Sequence, residues 1–239
     1  EPGPRRGRSA GPGPPPGSPP EGRTVVPGDG FEVAGVLDRA ANPGGRGAHD
    51  ERWQGVEVAV DFSTPQASLE TLPRLAARGV ALVVGTTGLG EREADLREAV
   101  LRSGGAAVLA ANFSLGANVL DALCETAARL LAGAPAYGAF IHEAHHAAKR
   151  DAPSGTALML GRALARGGLG RPVDVSSTRV GFVPGTHTVG FDGPAETLAL
   201  THTVRDRATF AHGALAAACW VVGRKGWFTM RDVLRLRRE

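Results

Sequence analysis

The chain has 239 residues, a formal charge of +3, 42% apolar residues and only 5% aromatic ones, enough for one large or two modest domains with buried cores. Scattered arginines without aromatic stacking platforms argue against a nucleic-acid binder. No apolar run approaches the roughly 20 residues that span a bilayer or resembles the core of a secretory signal, so a cytoplasmic enzyme acting on an anionic small molecule is the plain expectation.

The first twenty residues, EPGPRRGRSAGPGPPPGSPP, hold eight prolines and five glycines. They offer too few apolar side chains to offset the entropy of ordering the backbone, and residues 1–22 are expected to be a disordered tail. From residue 31 the texture changes. FEVAGVLD (31–38), VEVAVDF (56–62), VALVVGTTG (80–88) and AAVLAANFS (106–114) read as strands ending in acidic, small or polar residues. Between them, PQASLETLPRLAARG places Pro65 in a first helical turn, and EREADLREAVLRSG leads with acidic residues suited to a helix N-terminus. Strand and helix alternating at this pitch predict a parallel sheet.

After Asn112 the pattern shifts. SLGANVLDALCETAARLLAG predicts a long helix, AYGAFIHE a strand and GTALMLGRALARG another helix. VDVSSTRVGF, THTVGFD and ETLALTHTV predict strands of a mainly antiparallel or mixed sheet. FAHGALAAACWVVG reads as a buried helix, and WFTMRDVLRL as a short amphipathic helix returning to the first domain. Cys124 and Cys219 lie in apolar runs, where free thiols pack as small hydrophobes rather than pairing in a disulfide.

Ligands of open α/β sheets sit outside the carboxyl ends of the strands. Three small-polar loops occupy that position here: residues 61–65 (DFSTP), 85–88 (GTTG) and 110–114 (AANFS). Asp38 and Arg39 close the run FEVAGVLD. There a carboxylate suits ribose hydroxyls and a guanidinium a 2′-phosphate, although a solvated strand end reads as well.

The richest stretch is EAHHAAKRDAPSGTA, residues 143–157. HEAHH (142–146) fits H-E-x-x-H, a zinc pattern when it lies on a helix. The preceding AYGAFI alternates instead, so His142 and Glu143 belong to a strand end, where i and i+4 do not form a one-turn ligand pair, and no metal is expected. The other reading takes His145, His146 and Lys149 as a cationic cluster facing an anion. Asp151, Pro153 and Ser154 then lead into a helix starting near Gly155, whose free N–H groups hold a carboxylate or phosphate. Histidine and lysine are also the types expected for proton delivery near neutral pH. A capped helix with a basic approach loop is the plainer alternative.

The series VDFSTP, VGTTG, AANFSLGANV, EAHHAAKRDAPSGTA, VPGTHTV, RATFAHGAL and GWFTMRDVL resembles the dihydrodipicolinate reductase family of bacterial lysine and diaminopimelate synthesis. The resemblance runs in order from residue 31 to 234. It implies a Rossmann-like parallel sheet, here with its first strand missing, plus an α+β substrate and oligomerisation domain with a mixed sheet. Residues 23–112 and 223–239 would form the dinucleotide-binding domain, and residues 113–222 the substrate-binding domain of a homotetramer. The implied cofactor is NADPH or NADH and the implied substrate a cyclic dicarboxylate. By the same resemblance His145 is the proton donor or acceptor and Lys149 the proton donor, while His146, Gly155 and Thr156 bind substrate with Ser154 close by. Asp38, Arg39, Gly85, Thr86, Thr87, Ala110, Ala111, Asn112 and Phe113 hold the cofactor.

One departure stands out. The family opens with a strand and a Gly-rich loop of the kind G-x-x-G-x-M-G, and neither is legible in RTVVPGDG or the Pro/Gly/Arg tail before it. A truncated or divergent gene and a shifted reading frame both account for this. A homologue deficient in cofactor binding and without activity is therefore the alternative to an active reductase, with a zinc hydrolase built on HEAHH behind it.

Overall fold

A computed structural model describes residues 30–236. The expectations for the tail and the Gly-rich loop concern residues almost wholly outside that range. Two sheets organise the fold. The first has strand order β1-β2-β3-β8, all parallel, from β1 (Val58–Asp61), β2 (Ala81–Val84), β3 (Ala106–Leu109) and β8 (Gly226–Phe228). The second is mixed, from β4 (Gly138–His145), β5 (Val173–Arg179), β6 (Thr186–Asp192) and β7 (Thr197–Thr203), in the order β5-β4-β6-β7. Its β4–β5 pair is parallel and its other two pairs antiparallel. The α/β class and the parallel-plus-mixed pairing of sheets are as the sequence led one to expect.

Helices α1 (Pro65–Ala77) and α2 (Arg92–Arg102) connect the first three strands. Thr64 starts α1 by accepting from the Ala67 amide at 3.4 Å, and Pro65 fills its first turn without wasting an N–H. β2 is buried at every residue, as expected for a parallel strand flanked on both sides and covered by helices. Leu72, Leu75, Leu82, Val84, Leu96 and Val100 form the core around it.

Helices α3 (Leu115–Leu131) and α4 (Gly155–Arg166) lie on one face of the mixed sheet. Strand alternation sends Ala139, Ile141, Val189 and Phe191 to that face, where they meet Leu120, Cys124, Leu160 and Leu164. The other face carries Thr188–Thr201 and Thr186–Thr203 hydroxyl pairs and His142 against Ser176. Helix α5 (Ala208–Val221) packs against the first sheet, and α6 (Met230–Val233) follows β8. Among the described residues no helix is long and apolar enough to cross a membrane.

Three expectations fail. FEVAGVLD forms no strand: residues 31–38 are irregular, and Val33 and Val36 are exposed. Among the described residues no strand pairs with it, and β-propensity alone does not hold an unpaired strand. WFTMRDVLRL is not one helix, because Trp227 and Phe228 pair with Ala107 and Val108 in β8. Only Met230–Val233 is helical, started by a capping box between Thr229 and Asp232. Cys219 is exposed on the outer side of α5, whereas Cys124 is buried as expected.

Candidate active site

The carboxyl ends of β1, β2 and β3 form one rim. Asp61, the last residue of β1, organises it by accepting from Ser68 Oγ at 2.5 Å, Thr86 Oγ1 at 2.9 Å and the Ser63 amide at 3.2 Å. The Thr86 hydroxyl is thus committed to the protein, while Thr87 and Ala111 stand exposed. Gly85 is there for space: a Cβ would lie 2.1 Å from the Phe62 ring. That ring meets Phe113 edge-on at 5.6 Å and is 55% exposed, an apolar surface on which a planar ligand can stack.

Asn112 joins this rim to the start of α4. Its Oδ1 accepts from the Ser114 amide at 2.8 Å, its carbonyl accepts from Asn118 Nδ2 at 2.9 Å, and its Nδ2 donates to Thr156 Oγ1 at 3.1 Å. Thr156 lies in the first turn of α4. Ser154 caps that helix by accepting from the Ala157 amide at 3.2 Å, which leaves the Gly155 and Thr156 amides without intrahelical partners. A Cβ on Gly155 would meet nothing within 4 Å. The helix start is open, as an anion site requires.

β4 delivers the titratable groups to this helix start. Strand alternation buries Glu143 and His145 on one face and leaves His142 exposed on the other. Glu143 Oε1 accepts from the Ser154 amide at 3.0 Å, Ser177 Oγ at 2.6 Å and Arg179 Nη2 at 2.8 Å. Its Oε2 lies 3.4 Å from His145 Nδ1 and 3.5 Å from His187 Nε2. His187 Nε2 also shares a hydrogen bond with Ser154 Oγ at 3.0 Å. Lys149 Nζ pairs with both oxygens of Asp151 at 2.6 and 2.9 Å, and Arg179 Nη2 donates to the Asp151 carbonyl at 2.5 Å.

A family model described as dihydrodipicolinate reductase, N-terminus, matches residues 32–113, and one described as dihydrodipicolinate reductase, C-terminus, matches residues 116–234. The chain belongs to the dihydrodipicolinate reductase family. It is 41% identical over 197 residues to the 4-hydroxy-tetrahydrodipicolinate reductase of Rhodopseudomonas palustris, covering 74% of this chain and 72% of the relative. The enzyme of the same name from Acinetobacter baumannii is 38% identical over 234 residues, covering 89% of this chain and 84% of the relative. A solved structure, dipicolinate-bound dihydrodipicolinate reductase from Paenisporosarcina sp. TG-14, shares the fold at a TM-score of 0.65 and 22% identity, covering 74% of this chain and 72% of that one. The family's members are oxidoreductases of lysine biosynthesis that use NAD(P)H, and the N-terminal part is their nucleotide-binding domain.

Within this reductase fold the electrostatics of the cluster are well defined. Burial alone would raise the Glu143 carboxyl, but hydrogen bonds from Ser154, Ser177 and Arg179 outweigh it and hold the group at about 2. Burial, aided by Lys149 and Arg179 and opposed by Glu143, pushes the His145 imidazole below its ordinary value. Burial and the neighbouring His145 take His187 down to about 4. Glu143, His145 and His187 also present three ligand atoms within 4.8 Å of one another, a different set from the His142–His146 pair of HEAHH. Arg179 and the Ser154 amide already face that carboxylate, so its charge is matched without an ion.

The fold brings His145, Ser154, Gly155 and Thr156 to one helix start and links Asn112 to them, with Lys149 and half-buried His146 on the loop between β4 and α4. Gly85, Thr86, Thr87, Ala110, Ala111 and Phe113 lie along the strand-end rim. Asp38 and Arg39 are exposed, the first ending the irregular segment and the second opening a turn, and Asp38 Oδ1 accepts from the Ala41 amide at 2.8 Å. Sequence reasoning missed Ser177, Arg179 and His187 as partners of Glu143. The alternation of VDVSSTR puts Ser177 and Arg179 on one face of a strand beside β4, which was the available signal.

Proposed function

We propose that this chain is an active 4-hydroxy-tetrahydrodipicolinate reductase. It reduces dihydrodipicolinate, derived from that compound, to tetrahydrodipicolinate. The observation that carries the reading is the Asn112–Thr156 hydrogen bond, which sets the strand-end rim directly beside an open helix start flanked by His145 and Lys149. The exposed face of Phe62 and the small residues at 85–87 and 110–113 fit a nicotinamide nucleotide, and Asp38 and Arg39 extend the same reading to its ribose side.

Bound NAD(P)H supplies a hydride to the ring double bond conjugated to the imine. The α4 amides at Gly155 and Thr156, with Ser154, His146 and the nearby cations, hold the substrate carboxylates. Lys149 donates the proton that completes the addition, His145 exchanges a proton with the bound ring through its free nitrogen, and the Lys149 charge offsets negative charge developing on the substrate. Residues 113–222 then form the substrate-binding domain, and the Thr-rich outer face of the mixed sheet is where a homotetramer assembles. Residues 23–112 and 223–239 form the nucleotide-binding domain.

His145→Ala and Lys149→Ala test this reading. Each lowers turnover by about two to four orders of magnitude, the usual size of a general acid–base contribution, while nucleotide affinity barely changes. Wild-type turnover in both would reduce the cluster to a basic approach to a capped helix.

A further inference from the structure

Glu143 is fully buried, and its two oxygens have unequal surroundings. Oε1 is saturated by three donors, from Ser154, Ser177 and Arg179. Oε2 makes no hydrogen bond, nor does the buried His145 Nδ1 that faces it across 3.4 Å. Two unpartnered polar atoms this deeply buried are costly unless they serve each other. A carboxylate only accepts, so the matching tautomer of His145 carries its proton on Nδ1 and leaves the Nε2 lone pair free. The Nε2 edge of the ring rests beside Gly185, where a Cβ would lie 3.2 Å from both Nε2 and Cδ2. A side chain at residue 185 would crowd that edge.

His187 closes the other side of the cluster. Its ring meets His145 edge-on at 5.0 Å, and its Nε2 lies between Glu143 Oε2 and the Ser154 hydroxyl. Ser154 is the residue that starts α4. One carboxylate therefore grips the helix start through Oε1 and the acid–base imidazole through Oε2, with His187 bridging the two.

We propose that Glu143 and His187 are positioning residues that fix His145 with its proton on Nδ1, present Nε2 to the substrate, and lock this imidazole to the helix start that holds the substrate carboxylate. The proposal rests on the assignment of His145 as a proton-exchanging group. It adds which nitrogen acts, and what holds it.

Glu143→Gln is the decisive variant. The side-chain amide preserves volume and the acceptor at Oε1 but puts an NH2 donor where Oε2 was, which asks His145 Nδ1 to accept and moves its proton to Nε2. The readout is 15N NMR of the imidazole nitrogens in histidine-labelled protein, with His145→Asn assigning the resonances. The wild type is expected to show neutral His145 protonated on Nδ1, and Glu143→Gln to show it on Nε2. Turnover in that variant is expected to fall by about 10- to 100-fold, the size typical of groups that orient a functional histidine, with KM for the nucleotide within about twofold of wild type. His187→Gln is expected to show the smaller loss, with the Nδ1 proton retained. A wild-type His145 protonated on Nε2 overturns the proposal without any variant, as does a Glu143→Gln protein with unchanged tautomer and turnover. A tautomer that flips as expected in a protein that reduces no substrate would retain the positioning role and refute the proposed function instead.

Discussion

Asp121→Asn removes the charge at the centre of a network that holds three helices together. Asp121 is 4% exposed on α3 and accepts from Arg166 Nη2 of α4 at 3.0 and 2.8 Å and from Arg231 Nη1 of α6 at 3.0 Å. Glu125, one turn along α3, accepts from Arg166 Nε at 2.9 Å and Arg231 Nη1 at 2.6 Å. Two carboxylates face two guanidiniums, and the substitution leaves both cations to share Glu125. Removing one partner of a fully buried pair costs about 3–5 kcal/mol. The Arg166 side chain is 41% exposed, so water relieves part of that cost and about 2–3 kcal/mol is expected, near the range for hydrogen bonds to charged groups. For a chain of this size that corresponds to a Tm lower by roughly 4–12 °C. Calorimetry or urea unfolding reads the loss directly. Turnover at a temperature where the variant is folded should stay near wild type, because the network anchors the end of α4 opposite the start at which substrate binding is proposed. A loss below about 0.5 kcal/mol, the scale of an ordinary surface substitution, would show that the network is a solvated surface feature and refute the reasoning.

The Glu143 carboxyl, held at about 2 in the fold and near 4.3 when unfolded, contributes stability above its unfolded value that is lost as pH falls toward about 2, on the order of 3 kcal/mol in all. Urea unfolding from neutral to acid pH should therefore be less steeply pH-dependent in Glu143→Gln, and identical profiles would contradict the assigned hydrogen bonds. Gly213→Ala places a Cβ 1.7 Å from the Phe113 carbonyl oxygen, a backbone clash that must shift the loop at residues 110–113. A stability loss of at least about 1–3 kcal/mol with weakened nucleotide binding is expected, and unchanged unfolding and titration curves would show that α5 can move away freely. Arg39→Ala should weaken NADPH more than NADH, because a guanidinium suits the 2′-phosphate that NADH lacks; equal losses by calorimetric titration would remove that role.

The parts of the molecule legible in the sequence are those where local chemistry and tertiary demand coincide. The VALVV part of VALVVGTTG is apolar throughout because β2 is buried between neighbours, and Ser154 with Gly155 signals a helix start that the fold uses as one. FEVAGVLD misled because composition records strand propensity but not whether a partner backbone is present. WFTMRDVLRL misled because three residues of parallel pairing with β3 outweighed a helical pattern too short to hold itself. At the site, EAHHAAKRDAPSGTA exposed the titratable groups, but which of them meet depends on register. Strand pairing alone brings Ser177 and His187 opposite Glu143, and Arg179 reaches its carboxylate from two residues further along β5. A separation of 34 to 44 residues in sequence hides those contacts from inspection of any one segment.

The most direct test of the account is a single turnover with nicotinamide nucleotide deuterated at the transferable position and freshly generated 4-hydroxy-tetrahydrodipicolinate. Mass spectrometry and NMR of the product should find one deuterium on a ring carbon, with stoichiometric oxidation of the nucleotide and a rate reduced in His145→Ala and Lys149→Ala. Nucleotide that stays reduced when the dicarboxylate is added would contradict the reductase assignment for this chain.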